Sequence, residues 1–137
     1  MFLRSLGEGY YYDEDTAQEA FRLGRSFNVI HPDLAFKFDF FPVHDEHSAV
    51  EIERRQYVAI GALAPEPVPV VTAEETIISK LRWYRVGGEV SGQQWRDILG
   101  VLRMESHRID NAYLDAWAQK PGLSELLRRA RQDASRD

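Results

Sequence analysis

The sequence contains no cysteine among its 137 residues. This absence excludes disulfide bonds, a catalytic thiolate and a zinc site built on cysteine. A chain without thiols fits a reducing compartment, and we expect it to act in the cytoplasm. A chain of this length can bury most of its apolar surface in one core, so we predict a single domain over residues 1–137.

Long apolar runs are missing as well. No segment approaches the roughly 18 consecutive apolar residues of a membrane-spanning helix. The N-terminal stretch MFLRSLGEGYYYDED also lacks the apolar centre of a signal peptide. We therefore expect neither a spanning helix nor a membrane partner.

The sequence also lacks an excess of positive charge. Lys and Arg number 17 against 22 Asp and Glu, for a formal net charge of −5. Binding to a nucleic-acid backbone needs clustered cations, so a nucleic-acid partner is not expected. Residues 1–79 carry 6 basic and 14 acidic side chains, whereas residues 80–137 carry 11 and 8. Charge complementarity between the halves explains this better than an anion-binding role for the basic half.

Short apolar segments in the first half predict strands. SFNVI and LAFKFDFF are joined by HPD, whose proline and aspartate favour a turn, so the two segments form a predicted hairpin. A period of two places alternate residues of the second strand on opposite faces. One face holds Phe36, Phe38 and Phe40, and the other holds Lys37, Asp39 and Phe41.

Further elements should surround this hairpin. The segment DEDTAQEAFRLG predicts a helix with Ala17, Ala20 and Phe21 on its inner side, and DEHSAVEIERR predicts a second helix. The segments QYVAIGALA and PVPVV are apolar and β-branched, and we expect them to extend the sheet. The prolines limit the last segment to an edge or a short strand.

From Thr72 onward the periodicity is helical. Thr72 with Glu75 and Ser91 with Gln94 form capping boxes that start two helices, and Asp110 starts a third. The segment LSELLRRARQ predicts a fourth helix. The residues expected to face the core are Ile77, Ile78, Leu81, Tyr84, Trp95, Ile98, Leu99, Leu102, Tyr113, Leu114, Trp117 and Ala118. We therefore predict an α/β (α+β) fold, with a small mixed or antiparallel sheet and flanking helices in residues 1–71 and a helical bundle in residues 72–137.

Three segments carry a resemblance to a known family. SFNVIHPDLAFKFDFF, VTAEETIISKLRWYRVGGEVSGQQWRDILGVL and DNAYLDAWAQKPGLSELL resemble a family of small bacterial nucleotidyltransferase-like proteins. They are similar, more distantly, to the toxin-type nucleotidyltransferases of abortive-infection and toxin–antitoxin systems. The resemblance covers the chain from about Tyr10. It implies a nucleotidyltransferase fold, a nucleoside triphosphate substrate and Mg²⁺ ions held by several carboxylates.

The family's active site combines a Gly-Ser motif, an Asp-x-Asp pair and a third acid on a neighbouring strand. Asp39 matches the third acid, which the resemblance makes a catalytic residue and a candidate Mg²⁺ ligand. The upstream segment SLGEGYYYDED holds no Gly-Ser followed by Asp-x-Asp. We expect either that the sequence starts downstream of its natural start or that it is a truncated relative without full nucleotidyl-transfer activity.

The resemblance also implies catalytic roles for Lys80 and Asp97. Lys37, Arg82 and Arg85 are the candidate cofactor-binding residues. Two simpler interpretations stay open. Asp39 can be a surface partner of Lys37, and the basic residues of the helices can form a solvated face of ordinary ion pairs. That face would consist of Lys80, Arg82, Arg85 and Arg96, with Glu89 and Asp97 as their partners.

Imidazole and carboxylate groups also gather between residues 31 and 47, where a transition metal could bind. The group consists of His31, Asp33, Asp39, His44, Asp45 and His47. Surface histidines are the favoured interpretation, because Asp45 and Ser48 suit a helix start and no known ligand spacing is present. The aromatic set Trp83, Tyr84, Trp95, Tyr113 and Trp117 is better explained by a core than by base stacking.

Two functions of different classes follow. The first is a truncated nucleotidyltransferase-like protein with at most weak nucleotide or Mg²⁺ binding, which leaves open whether the chain is an enzyme. The second is a non-catalytic module that forms a homodimer through its sheet, because a sheet without its first strands presents an open edge and the phenylalanine face. A third hypothesis places the catalytic segment upstream of this start.

Overall fold

The computed structural model describes residues 2–136, apart from the side chains of Phe2 and Leu63. This part of the chain holds six α-helices and two antiparallel sheets of two strands each, so the predicted α+β class is confirmed. The chain forms two compact units. The first ends at Val50, and the second begins at Glu51.

The first unit contains the predicted hairpin. Helix α1 (Glu14–Arg22) begins at Asp13, whose side chain accepts a hydrogen bond of 2.6 Å from the Thr16 N–H. Strands β1 (Phe27–His31) and β2 (Phe36–Phe40) pair in antiparallel register, with Val29 opposite Phe38. A 3₁₀ turn over Pro32–Leu34 joins the two strands. The predicted turn chemistry of HPD is therefore confirmed.

The core of the first unit is small. Leu3, Ala17 and Val29 are buried together, and the Tyr12 hydroxyl donates a hydrogen bond of 2.9 Å to the Leu3 carbonyl. The prediction that Phe21 faces inward was wrong, because its side chain is 64% exposed. Successive helical residues lie about 100° apart, so Phe21 lies beside the narrow buried stripe that the two alanines form.

The phenylalanine face of β2 is buried at one end only. Phe40 packs on the core and stacks on Phe27, with 5.3 Å between the ring centroids. Phe38 is 42% exposed and Phe36 is 60% exposed. The alternation therefore places these three rings on one face of β2, but that face is not buried along its whole length. Among the described residues only β1 pairs with β2, and the phenylalanines toward the turn end of the hairpin are exposed.

The boundary between the units falls inside helix α2 (Glu46–Glu53). Asp45 and Ser48 start this helix as expected, since the Ser48 N–H donates to the Asp45 carboxylate at 2.7 Å. Strands β3 (Gln56–Val58) and β4 (Val68–Val70) then pair with each other in a second sheet. The expectation that they extend the hairpin sheet was wrong. Each has three residues, which is too short for an alternating pattern to specify a partner.

Four helices complete the second unit, and their predicted starts are confirmed. They are α3 (Ala73–Val86), α4 (Gly92–Met104), α5 (Asn111–Gln119) and α6 (Ser124–Ala134). The side chains of Thr72, Ser91 and Asp110 each accept a hydrogen bond from the N–H three residues ahead. Gly87 follows α3, and Gly122 adopts a φ of 68° after α5.

The core of the second unit joins these four helices. Its buried residues are Ile77, Ile78, Leu81, Tyr84, Ile98, Leu102, Leu114, Ala118, Leu123, Leu126, Leu127 and Ala130. Trp95 and Trp117 pack against this core, as expected from their spacing. Trp83 differs from the expectation because it is 55% exposed, on a side of α3 away from the buried stripe. None of the helices within residues 2–136 has the length and apolarity needed to cross a bilayer.

Candidate functional site

Lys80 and Asp97, the two site residues predicted on helices, are brought together. Lys80 on α3 donates to the Asp97 carboxylate on α4 at 2.9 Å. Gln93, one turn earlier on α4, donates to the other carboxylate oxygen at 2.7 Å. The hydrogen bond from Lys80 holds the pKa of Asp97 below its ordinary value. The Asp97 carboxylate is therefore ionised at neutral pH, and its contact with Lys80 links the two helices.

The predicted cofactor-binding arginines lie further along the same helix. Arg82 is half-buried on α3. The Arg85 guanidinium donates to the Gly122 carbonyl after α5 and lies 3.8 Å from the Glu89 carboxylate. Arg85 thus binds a backbone carbonyl in the turn between α5 and α6, which is a structural role that the sequence pattern did not indicate.

Asp39 lies on β2 in the first unit, where its carboxylate is 3.0 Å from the Lys37 ammonium. Both side chains are about half exposed. Within residues 2–136 no group of three or more His, Asp or Glu side chains could hold a metal ion. One carboxylate that already faces a cation supplies too few oxygens for Mg²⁺, so these residues do not by themselves fit the implied Mg²⁺ site.

The histidines predicted at the surface lie in three different environments. His44 is exposed, and its Nδ1 lies 2.9 Å from the Pro42 carbonyl. His31 is half-buried, with its ring edge-on to Tyr10 at 4.9 Å between centroids. His47 is buried on α2, so the expectation of surface histidines was wrong for this residue.

The structure reveals a buried polar cluster that the sequence interpretation missed. Glu75 is completely buried near the start of α3, and the Tyr113 hydroxyl on α5 donates to its carboxyl group. Arg54 Nε lies 3.4 Å from the same oxygen, and its guanidinium lies over the Tyr113 ring at 3.9 Å. Glu75 was interpreted only as part of a capping box. Its spacing of three from the buried Ile78 was the available signal that it faces inward.

Burial raises the pKa of the Tyr113 phenol well above its ordinary value, and the hydrogen bond to Glu75 adds to this effect. The phenol is therefore protonated at neutral pH and acts as a hydrogen-bond donor. A neighbouring contact joins the same helices, because Glu74 accepts a hydrogen bond of 2.8 Å from the Asp110 N–H. The cluster fixes the start of α5 against the start of α3.

The outer edge of β2 is open within the described residues. Tyr11 forms a bridge to Ile30 on one side of β1, and β2 pairs on the other side. Ile30 donates to Tyr11 at 2.9 Å and accepts from it at 2.7 Å, so neither of its backbone groups faces Lys37. The Ile30–Lys37 pair is thus a non-hydrogen-bonded pair, and so is the alternate pair of Asn28 and Asp39. The backbone groups of Lys37 and Asp39 consequently point to the open edge.

Apolar side chains are exposed around this edge. Phe36 and Phe38 lie on β2 with 6.1 Å between their ring centroids, and Leu34 precedes them in the turn with 63% of its surface exposed. Phe41 follows the strand and is 62% exposed. Exposed apolar side chains beside an open strand edge are typical of an interaction site.

Comparison of this chain with models of protein families, with curated proteins and with solved structures found no match. The relationship to nucleotidyltransferase-like proteins therefore stays a prediction from the sequence.

Proposed function

We propose that this protein is a non-catalytic interaction module that forms homodimers through the hairpin of its first unit. The observation that carries the proposal is the open edge of β2 with Phe36 and Phe38 exposed beside it. Removing apolar surface from water stabilises an association by about 25 cal/mol per Å² before the entropic costs of binding are subtracted. A partner strand would also satisfy the backbone groups at this edge.

The small size of the hairpin supports the same proposal. Two isolated strands are marginally stable in water, and stability normally needs a third strand or a covering layer. Here the core beneath β1 covers Phe40, while the turn end of β2 has no such cover among the described residues. A second copy would supply both the missing strand and the missing apolar contact.

Light scattering after gel filtration tests the proposal. We expect the protein to be a dimer at micromolar concentration and Phe36→Ser to weaken the dimer. Phe21→Ser is the matched control, because Phe21 has a similar exposure of 64% in the same unit but lies on α1. A monomeric wild-type chain at these concentrations would contradict the proposal, and so would an equal effect of the two substitutions.

A second function is favoured by the pairing of Lys80 with Asp97. We infer a nucleotidyltransferase-like protein that binds a nucleoside triphosphate with Mg²⁺ weakly at most. Lys80, Arg82 and Arg85 lie on one helix, and their cations suit phosphate oxygens. Asp39 of the first unit is the other residue for which the family resemblance implies a role. The isolated carboxylate of Asp39 makes strong Mg²⁺ binding unfavourable.

Calorimetric titration with ATP and Mg²⁺ tests this second function. We expect weak binding that Lys80→Met reduces. Lys120→Met is the control, because Lys120 lies at the end of α5 over the Trp117 ring. No heat at millimolar ligand would remove the support for nucleotide binding. If the catalytic segment lies upstream, reading the gene in frame before Met1 would reveal a Gly-Ser followed by Asp-x-Asp.

A further inference from the structure

We propose that two copies of this chain join through β2 as antiparallel strands centred on Phe38. This inference rests on the proposed self-association and specifies its register. A two-fold axis would pass beside Phe38, so that this residue faces its counterpart in the second copy. Strand β2 would then overlap its counterpart along all five residues.

Opposite charges meet in this register. Lys37 lies across from Asp39 of the second copy, and Asp39 lies across from Lys37 of the second copy. If the axis passed beside Lys37 or beside Asp39 instead, that residue would face an identical charge. Like charges directly opposite each other destabilise a strand pair. The charge sequence of β2 therefore favours Phe38 at the centre.

The backbone of β2 fits the same register. In an antiparallel ladder, two opposing residues exchange hydrogen bonds when the backbone groups of both point toward the partner strand. Lys37 and Asp39 are the residues of β2 whose backbone groups point to the open edge, as the bonds between Ile30 and Tyr11 require. Each Lys37–Asp39 pair between copies would thus be a hydrogen-bonded pair.

The apolar side chains also match. Phe36, Phe38 and Phe40 share one face of β2, and a two-fold axis perpendicular to the sheet keeps the corresponding faces on the same side. Phe36, which is 60% exposed, would lie across from Phe40 of the second copy. Phe38 would lie across from Phe38 of the second copy. The exposed Phe36 of each copy would therefore be covered by Phe40 of the other copy, which packs on the core of its own unit.

The absence of cysteine provides a direct test, because Phe38→Cys introduces a single thiol into the chain. The Cα atoms of a non-hydrogen-bonded antiparallel pair lie about 4.5 Å apart, within the range of a disulfide. Lys37→Cys is the matched control. Its thiols would lie diagonally across the axis with Cα atoms roughly 9 Å apart, too far for a disulfide. We expect mild oxidation to link the Phe38→Cys dimer covalently and to leave Lys37→Cys unlinked.

Charge substitutions at exposed positions provide a second test that does not depend on removing a ring. Lys37→Glu and Asp39→Lys should each raise the dimer dissociation constant about tenfold, because each creates two like-charge pairs. The combined variant exchanges the two charges and should restore the wild-type dissociation constant. An equimolar mixture of the two single variants should form a heterodimer, measurable by sedimentation.

The outcomes separate this register from self-association in general. A wild-type dimer in which Lys37→Cys links as readily as Phe38→Cys would overturn the register alone, as would a combined variant as weak as the single ones. A monomeric wild-type chain would overturn both proposals. That result would also be expected if the edge of β2 binds an extended segment of a different protein.

Discussion

Glu75 lies near the start of α3 with its carboxyl group shielded from solvent by its contacts with Tyr113 and Arg54. A buried carboxyl group is tolerated only where hydrogen bonds and a cation replace the water that it loses. Tyr113 on α5 provides the hydrogen bond, and Arg54, which precedes β3, provides the cation. The cluster therefore constrains how these segments pack within the second unit.

Tyr113→Phe should lower the free energy of unfolding by about 1.5–3 kcal/mol, the range for a hydrogen bond to a charged group. The loss arises because the Glu75 carboxyl group stays buried without its donor. Urea unfolding at pH 7 measures it. Trp117→Phe is a control on the same helix, since it also trims an aromatic residue but does not remove the Tyr113 hydrogen bond to Glu75. A loss no larger than that of the control would contradict the role assigned to the phenol.

The same substitution should change the response to alkaline pH. The pKa of Tyr113 is raised in the folded protein, so the folded state holds the proton more tightly than the unfolded state. Its contribution to stability is complete below the ordinary phenol pKa of 10.0 and decreases as the pH rises above it. We expect the wild type to lose more stability than Tyr113→Phe between pH 9 and pH 11, measured by urea unfolding.

Asp97→Asn should show the opposite dependence on pH. The pKa of Asp97 is lowered by Lys80, so the pair stabilises the fold above the ordinary carboxyl pKa of 3.8 and loses this effect as the pH falls below it. We expect Asp97→Asn to be less stable than the wild type at pH 7, and urea unfolding should show this difference shrinking as the pH falls below 3.8. A difference that persists at the lower pH would show that the hydrogen bonds, and not the charge, stabilise this contact.

Asp39→Ala should change the free energy of unfolding by no more than about 0.5 kcal/mol, as expected for an exposed ion pair. The measurement is urea unfolding at a protein concentration low enough for monomers. The same substitution should weaken the proposed dimer, because Lys37 of the second copy would lose its partner across the axis. A large loss of stability in the monomer would instead assign a structural hydrogen bond to this carboxylate.

At the scale of elements, the helix starts contribute stability independently of the core. The Thr72 hydroxyl accepts a hydrogen bond of 3.3 Å from the Glu75 N–H, and the Thr72 side chain is buried. Thr72→Ala should lower the free energy of unfolding by about 1 kcal/mol, whereas Thr72→Ser should retain most of the stability. Urea unfolding monitored by circular dichroism compares them. Equal losses in both variants would assign the effect to the missing methyl group.

The elements also differ in how well the sequence predicts them. Helices α3, α4 and α5 follow from local signals, since each has a capping side chain followed by apolar residues at helical spacing. Strands β3 and β4 depend on which segment lies beside them. Backbone hydrogen bonds between strands join residues that are distant in the sequence. The sequence of a three-residue strand such as Val68–Val70 therefore does not indicate which strand it pairs with.

At the scale of the whole molecule, the same contrast applies to the candidate site. Lys80 and Asp97 lie on helices whose faces the sequence predicts, and the structure brings them together. The role of Glu75 was missed because its partners are 21 and 38 residues away along the chain. The exposure of Phe36 could not be predicted, because alternation assigns a residue to a face without showing what covers that face. The single-domain organisation stays a prediction.

Self-association should make the thermal stability of the molecule depend on its concentration. If two copies pair through β2, mass action stabilises the folded dimer as the protein concentration rises. We expect the melting temperature of the wild type to rise by several degrees over a roughly hundredfold increase in concentration. Circular dichroism in cells of different path length measures this rise.

Substitutions in the proposed dimer interface should change how the melting temperature depends on protein concentration. Phe36→Ser should melt at a temperature that depends less on concentration, because it weakens the association, while Phe21→Ser should behave as the wild type does. The combined exchange of Lys37 and Asp39 should also retain the wild-type dependence, since it preserves opposite charges across the axis. A melting temperature independent of concentration in the wild type would mean that the exposed phenylalanines do not join two copies.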